Sequence, residues 1–246
     1  MGNKREKLYD KIYEKLKNEI LQLPMGAKLL SEEKLCKAFG VSRTIIREVI
    51  VALERDGFVI RKQGLGTFVI RDNKLVHTGI EYLRGLFKII SSSGRTPSFL
   101  LNDYEKVKAD ENVAKKLQIQ EGEEIIKTKH LYAADGIPVI YAETYVATGR
   151  IQGGTESFLK AFLQNKTKVL FSLLEEDLGR PVRYAVAEIV AIASDQKLSN
   201  LLGVDIAKPL VLLSEVHYGI DDLPLLYSED YINTDVFLIQ IIRKKI

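Results

Sequence analysis

The sequence is poor in the residue types that build covalent, metal or membrane-embedded architectures. Cys36 is its single cysteine, so an internal disulfide framework is excluded and a reducing compartment suits the chain. Its three histidines show no metal-ligand spacing, which argues against a metal site, and nothing calls for a cofactor. No apolar run approaches the roughly 18 residues needed to span a bilayer. The opening Met1-Gly2-Asn3-Lys4-Arg5-Glu6-Lys7 lacks the apolar stretch of a secretory leader. Also missing are a Ser/His/Asp set and a phosphate-binding loop, and no carboxylate has a matched acid/base partner. The expectation is a cytoplasmic protein that is not an enzyme.

What is present is unevenly distributed. The 246 residues suffice for one large domain or two modest ones. The net charge is +3, but residues 1–72 hold 15 Lys and Arg against 10 Asp and Glu, while the remainder holds 21 against 23. The positive excess therefore belongs to the N-terminal third, as a nucleic-acid contact surface requires.

In that third, Leu8, Ile12, Leu16, Ile20 and Leu23 recur at helical spacing, predicting a helix over 7–23 that Pro24 and Gly26 stop. Ser31 stands at an N-cap position with Glu32 and Glu33 in the first turn, and Leu35, Ala38 and Phe39 give the short helix an apolar face. After Gly40, a second cap at Ser42 opens a helix with Ile46, Val49, Ile50 and Leu53 on its apolar side, closed by Gly57. Two helices joined by a tight glycine-containing turn form a helix-turn-helix. Arg43 and Arg47 lie four apart on one face of the second helix, so both can reach base edges in a major groove, with Ser31, Ser42 and Thr44 placed for phosphates. A merely solvated charged face is the rival reading, and the segment after the helix decides against it. Two strand-like runs, Phe58–Lys62 and Thr67–Arg71, flank Gln63-Gly64-Leu65-Gly66. A hairpin with a glycine tip and the cations Arg61 and Lys62, directly after a helix-turn-helix, is a wing. Its glycines lie between two strands, unlike those of a nucleotide-binding loop.

The run from Leu29 to Val69, with its VSRTIIRE and GLGTFV blocks, resembles the DNA-binding domain of the GntR family of bacterial regulators. The resemblance implies that Arg43 and Arg47 contact operator bases and that Gly66 lies near the minor groove. Two positions depart from the family pattern. Leu30 replaces a proline, and Glu33 replaces an arginine that touches DNA, so the docking geometry is expected to differ from the family norm.

Residues 72–80 show no period and read as a linker. From 81 to 246, strand-like runs near 99–108, 124–133, 138–147, 183–193, 209–219 and 224–233 alternate irregularly with helical segments, as in an antiparallel α+β domain. An internal repeat is visible: Pro138-Val-Ile-Tyr-Ala-Glu-Thr-Tyr-Val146 parallels Pro224-Leu-Leu-Tyr-Ser-Glu-Asp-Tyr-Ile232 at an offset of 86 residues. Each run comes after a turn and a strand with a histidine, His130 or His217, so two copies of one unit are expected in a single pseudo-symmetric sheet.

This pattern, with the segment Gly94–Phe99, is similar to the UTRA effector domain of HutC-like GntR regulators, which has a chorismate-lyase-like fold and binds small molecules. The resemblance implies a homodimer, double-stranded operator DNA and a small-molecule effector as partners, with Arg95 and Thr96 in a loop next to the effector. His130 and Tyr132 stand where relatives that bind phosphorylated sugars carry two arginines, which weighs against a phosphosugar. The family's ligand carboxylate falls at Ala142, one residue before Glu143, and its repeat counterpart falls at Leu226, near Glu229. Either the register slips by one, bringing Glu143, Glu229 and Tyr231 to the effector, or the pocket has its own chemistry. The expected function is a repressor that its effector releases. The alternatives are an activator, an all-helical metal-binding effector domain of another branch, and a chorismate-lyase-like enzyme with an accessory DNA-binding module.

Overall fold

The computed structural model describes residues 2–70, 76–79, 83, 85–165 and 168–240. The chain divides into two compact units, Met1–Tyr82 with Ser92–Gly94 and Leu238–Ile246, and Leu83–Ser91 with Arg95–Phe237.

The first unit opens with helix α1 (Gly2–Leu21), longer at its start than the apolar spacing predicts. Ile12, Leu16 and Ile20 of the expected stripe are buried, whereas Leu8 is exposed. Helix α2 (Glu32–Phe39) starts where the Ser31 side chain accepts the Lys34 N–H, and α3 (Arg43–Arg55) where the Ser42 side chain accepts the Ile45 N–H. Each cap satisfies one of the N–H groups that a helix start leaves without a partner. The α1 stripe packs with Leu35, Ile46, Val49, Ile50, Leu53, Phe58, Val59 and Val69 in one core cluster.

Strands β1 (Val59–Lys62) and β2 (Gly66–Val69) pair antiparallel, with Val59 opposite Val69 and Lys62 opposite Gly66. Gly64 and Gly66 reverse the chain between them at φ of +73° and +115°, backbone that only glycine adopts without strain. Sequence reading missed a third element. The Leu29 N–H donates to the Thr67 carbonyl and the Val69 N–H to the Ala27 carbonyl, both at 2.8 Å, so the segment before α2 borders the hairpin. Strand β3 (Val76–Gly79) lies within 72–80, which the sequence presented as a linker without regular structure.

The second unit runs α4 (Leu86–Ser92), β4 (Pro97–Lys108), α5 (Glu111–Leu117), β5 (Glu124–Ala134), β6 (Ile137–Val146), α6 (Gly154–Gln164), α7 (Leu170–Ser172, continued as a π turn to Asp177), β7 (Val182–Ala193), α8 (Gln196–Leu202), β8 (Pro209–Gly219) and β9 (Pro224–Ile232). A final strand, β10 (Phe237–Gln240), pairs with β3. The six long strands form one sheet in the order β4-β5-β6-β9-β8-β7, antiparallel at every pairing.

That order is the internal repeat made visible. The unit β4-α5-β5-β6 recurs as β7-α8-β8-β9, so each copy holds one strand more than the sequence comparison suggested. The two copies join along β6 and β9, where Tyr141 faces Tyr231, Glu143 faces Glu229 and Tyr145 faces Tyr227. The registers also correct the histidine pairing. His130 faces Ala142 and Glu215 faces Ser228, whereas Tyr132 faces Ile140 and His217 faces Leu226. His130 therefore corresponds to Glu215, and His217 to Tyr132. The two histidines are not counterparts.

Because side chains alternate along a strand, the sheet has two chemically distinct faces. Helices α5 and α8 cover one, packing on Tyr145, Val216 and Tyr227 and on Leu131, Tyr141, Leu210 and Tyr231. The other is covered in part by α6 and α7, whose Phe158, Phe162 and Leu170 meet Ile126, Val146 and Leu226.

Candidate DNA interface and effector site

Arg43, Thr44 and Arg47 are exposed on the first two turns of α3. Neither arginine projects alone. Glu32, in the first turn of α2, lies 3.0 Å from Arg43 Nε and 3.8 Å from Arg47 Nε, so one carboxylate spans the pair. Ser31 and Ser42 use their oxygens as acceptors in capping, which leaves each O–H to donate to a phosphate. Glu33 pairs with Lys37 at 2.8 Å on the exposed side of α2, so its charge has a local partner.

The wing residues divide. Gln63, Gly64 and Gly66 are exposed at the tip and Thr67 is half-buried. Lys62 lies over the Phe68 ring at 5.0 Å, and Lys28, which sequence reading passed over, lies over the same ring at 5.9 Å. Arg61 is differently placed. Its side chain lies 2.7 Å from Glu54 on α3, and its N–H donates to the same carboxylate at 3.0 Å. Arg61 fastens the wing to the recognition helix.

In the second unit the expected effector residues fall on opposite faces of the sheet. Glu143 and Glu229 belong to the face under α5 and α8. Glu143 accepts hydrogen bonds from Lys197 Nζ at 2.6 Å and the Tyr141 hydroxyl at 2.7 Å, and lies 2.9 Å from Lys127 Nζ. Burial alone would raise its carboxyl, but these three partners hold it down at about 2. Glu229 accepts from the hydroxyls of Tyr227 at 2.9 Å and Tyr231 at 3.1 Å. Tyr141 stacks on Tyr231 and Tyr145 on Tyr227, which closes a polar seam across the pseudo-dyad. Glu143 faces Lys129 and His130 faces Ala142, so Glu143 and His130 lie on opposite faces of the sheet.

His130 and Tyr132 lie on the other face, amid Phe87, Phe99 and Phe162 at ring-centroid distances of 4.5–6.1 Å. The same face carries Asn102, Ser228, Asp230, Glu215 and His217, as the registers require. His217 Nε2 lies 3.2 Å from Ser228 Oγ, and Phe171 sits edge-on to its ring. Nδ1 of His130 and Nδ1 of His217 are buried without a hydrogen-bond partner among the described residues. Burial holds both imidazoles down at about 4, so both are neutral at pH 7. Burial pushes the Glu215 carboxyl up to about 7, and burial together with Glu215 raises Asp230 well above the usual carboxylate range. Thr96 is bound through its backbone to Asp135 of the β5–β6 turn, with N–H···Oδ1 of 2.8 Å and the return bond to its carbonyl at 2.9 Å. Arg95 precedes it, half-buried.

Sequence reading missed Glu215 and Asp230. The signal was there, since alternation from His130 through Ala142 leads across the sheet to Asp230 rather than to Glu229.

A winged helix-turn-helix joined to a pseudo-symmetric antiparallel α+β domain defines a transcription regulator with a sensor module. Residues 8–69 match the model of the bacterial regulatory proteins of the gntR family, and residues 92–237 that of the UTRA domain. The chain belongs to the GntR family, in its HutC-like, UTRA-containing branch. It is 26% identical over 215 residues to the HTH-type transcriptional regulator Rv0792c of Mycobacterium tuberculosis, covering 86% of this chain and 77% of the relative. It is 24% identical over 213 residues to the HTH-type transcriptional repressor NagR of Bacillus subtilis, covering 86% and 84%. Its fold is similar to that of the crystal structure of PhnF from Mycobacterium smegmatis, with a TM-score of 0.61, 21% identity, and 95% and 99% of the two chains covered. Among the described residues, no helix is long and apolar enough to cross a membrane.

Proposed function

We propose that this regulator is a cytoplasmic, dimeric repressor that acts by binding rather than turnover, and that a small molecule held on the His130 face of the sheet releases it from its operator. The observation that carries the DNA half is the exposed Arg43–Arg47 pair at the start of α3, beside a glycine-tipped wing. Arg43 and Arg47 read base edges, Ser31, Ser42 and Thr44 bind phosphates, and Lys62, Gln63, Gly64, Gly66 and Thr67 track the adjacent minor groove. Arg61 supports the wing instead of reading DNA.

The effector half rests on the buried Nδ1 atoms of His130 and His217, polar groups that a bound ligand satisfies. Tyr132, Asp230 and Glu215 border them, and Arg95 and Thr96 stand on the loop tied to the neighbouring hairpin. Glu143, Glu229 and Tyr231 are assigned to holding the two repeats together. Binding shifts the population toward a dimer whose half-site spacing no longer fits the operator, which requires different affinities for the two states. The likeness to the repressor NagR supports the sign of regulation.

The test is fluorescence anisotropy on a duplex selected in vitro by the unmodified protein. An Arg43→Ala/Arg47→Ala double variant loses about 30-fold or more in affinity, each arginine contributing roughly 1–3 kcal/mol. Unchanged binding would remove the recognition-helix assignment.

A further inference from the structure

At the centre of the His130 face the side chains are small. Thr128, Ala142, Thr144 and Ser228 share that face, and all four are buried. Taller groups stand on either side and leave a depression between them. On one side are His130 and the cluster of Phe87, Phe99 and Tyr132, with ring centroids 4.5–5.8 Å apart. Both phenylalanines are half-buried, so part of this wall is open to a ligand. On the other side are Asp230 of β9 and Glu215 of β8. Leu213 faces Asp230 and Ser228 faces Glu215, so the two carboxyls stand diagonally across one strand pairing. Neither has a hydrogen-bond donor or a charged cation beside it among the described residues, since His217 Nε2, 3.8 Å from Glu215, is neutral. Asp230 is 7% exposed, and burial makes both carboxyls costly to ionise. The unpartnered Nδ1 atoms of His130 and His217 belong to the same face. Buried polar groups in this number call for a partner from outside the fold. Among the described residues no three His, Cys, Asp or Glu stand close enough to hold a metal ion, so an organic partner is the candidate.

We propose that the effector is an organic amine, bound as its ammonium ion between Asp230 and Glu215, with its carbon body against the Phe87–Phe99–Tyr132 wall. The inference rests on the reading of this face as the effector site and adds the chemical class of the ligand. An ammonium group carries N–H donors only. Asp230 and Glu215 accept two of them, and the Ser228 oxygen, opposite Glu215 in the register, accepts a third. A hydroxyl in the same place leaves both carboxyls without a counter-charge, and an anion meets no cation from these strand residues. The ring wall adds to the preference, because aromatic faces attract a positive charge that has left water. Glu215, His130, His217 and Tyr132 are the titratable groups around Asp230 on this face, and none is cationic at pH 7. Capture of an ammonium ion therefore ionises the carboxyl pair, and the proton it gives up passes to the buffer.

Titration calorimetry of the full chain at pH 6 compares primary amines with hydroxyl compounds of matching shape: glucosamine with glucose, putrescine with 1,4-butanediol, phenethylamine with 2-phenylethanol. The expected result is an amine that binds about tenfold or more tightly than its hydroxyl counterpart, as a charge-assisted hydrogen bond gives. Repeating the titration in two buffers of different ionisation enthalpy shows about one proton released per amine bound. Asp230→Asn and Glu215→Gln each weaken the amine about tenfold and reduce the proton release. The ligand-free variants melt no lower than the unmodified protein, which separates lost binding from lost folding. A series in which no amine binds, equal affinity for the hydroxyl counterpart, no proton release, or indifference to both substitutions each overturns the proposal. The effector reading fails separately. An amine that binds with this dependence but leaves the operator complex intact in fluorescence anisotropy keeps the site and removes the release mechanism. A compound that frees the operator yet ignores both substitutions keeps the mechanism and removes the amine assignment.

Discussion

Glu143 stands directly across the β6–β9 junction from Glu229, its own counterpart in the internal repeat. Two carboxylates at the centre of a sheet repel unless each is supplied with donors. Here Lys127, Lys197 and Tyr141 serve one, while Tyr227 and Tyr231 serve the other. The junction of the two copies therefore has a pH-dependent strength. Glu143 is held at about 2 against an ordinary 4.5, so its contribution is fully present above about pH 4.5 and is lost as pH falls toward 2. Glu143→Gln is expected to lower stability at pH 7 by about 2 kcal/mol, since it leaves the Lys127 ammonium beside a neutral partner. Denaturant unfolding at pH 7 and pH 3 checks this, the difference from the unmodified protein shrinking at the lower value.

The opposite sign applies to Glu215. Its carboxyl is raised to about 7 by burial, so folding favours the protonated form and the cost grows as pH rises from about 4.5 to 7. Glu215→Gln is expected to raise the melting temperature of the ligand-free protein at pH 8 and to leave it nearly unchanged at pH 4. A lower melting temperature at pH 8 would mean that the ionised carboxylate holds the fold together.

How far these features could be read beforehand depends on what determines each. Ser31 and Ser42 caps, the stripe Ile46, Val49, Ile50 and Leu53, and the strand spans of the second unit are local patterns of period and punctuation, and they match the structure closely. The repeat was legible because Tyr141, Glu143 and Tyr145 keep their identities in the second copy. What was not legible is set by pairing across the chain. Nothing local joins Ala27 to Val69 or Val76–Gly79 to Phe237–Gln240. The choice of Glu143 and Glu229 as effector ligands rested on their nearness to Ala142 and Leu226, the positions that the family resemblance implies, whereas the face a strand residue occupies is fixed by parity from a known neighbour, here His130. A conspicuous Tyr-x-Glu-x-Tyr run thus drew notice from the plainer Ser228 and Asp230 beneath it.

Glu32 holds both Arg43 and Arg47, the pair proposed to read the operator, so its carboxylate adds negative charge beside the proposed contact surface. Glu32→Gln is expected to tighten non-specific DNA binding severalfold and to steepen the dependence of log K on log salt, because a negative charge is removed from the contact surface. Selected sequences gain less than random ones, since the arginines also lose their common anchor. Anisotropy at two salt concentrations on selected and scrambled duplexes measures both effects. An equal gain on the two duplexes would reduce Glu32 to simple repulsion.

Arg61 and Lys62 are neighbours with different work. Arg61→Ala removes the guanidinium contact to Glu54, leaving only the backbone N–H of residue 61 on that carboxylate, and is expected to cost about 1 kcal/mol of stability. Lys62→Ala leaves stability within about 0.5 kcal/mol, as exposed substitutions do, and lowers the salt slope by about one phosphate contact. Denaturation curves and salt titrations of the two variants separate the roles.

With the effector placed on the His130 face, as proposed, its chemistry is constrained by the charge there. The strand residues there include Glu215 and Asp230, both costly to ionise, and two imidazoles that stay neutral at pH 7. The lysines that share this face by register, Lys106 and Lys108, are exposed at the end of β4 beyond Tyr104, away from His130. A phosphate dianion placed beside Asp230 makes that carboxyl costlier still to ionise and gains no ion pair from these strand residues, while an amine favours its ionised form and hydroxyl groups find acceptors and donors. In a thermal-shift panel, glucose 6-phosphate and inorganic phosphate are therefore expected to leave the melting temperature unchanged. Neutral or amine-bearing metabolites supply the hits, a ligand at 100 times its dissociation constant adding about 2.7 kcal/mol. Asp230→Asn should weaken an amine-bearing hit far more than a neutral one. A phosphorylated sugar that raises the melting temperature by several degrees, with Asp230→Asn improving it further, would reverse this assignment and point to cations supplied from outside the sheet.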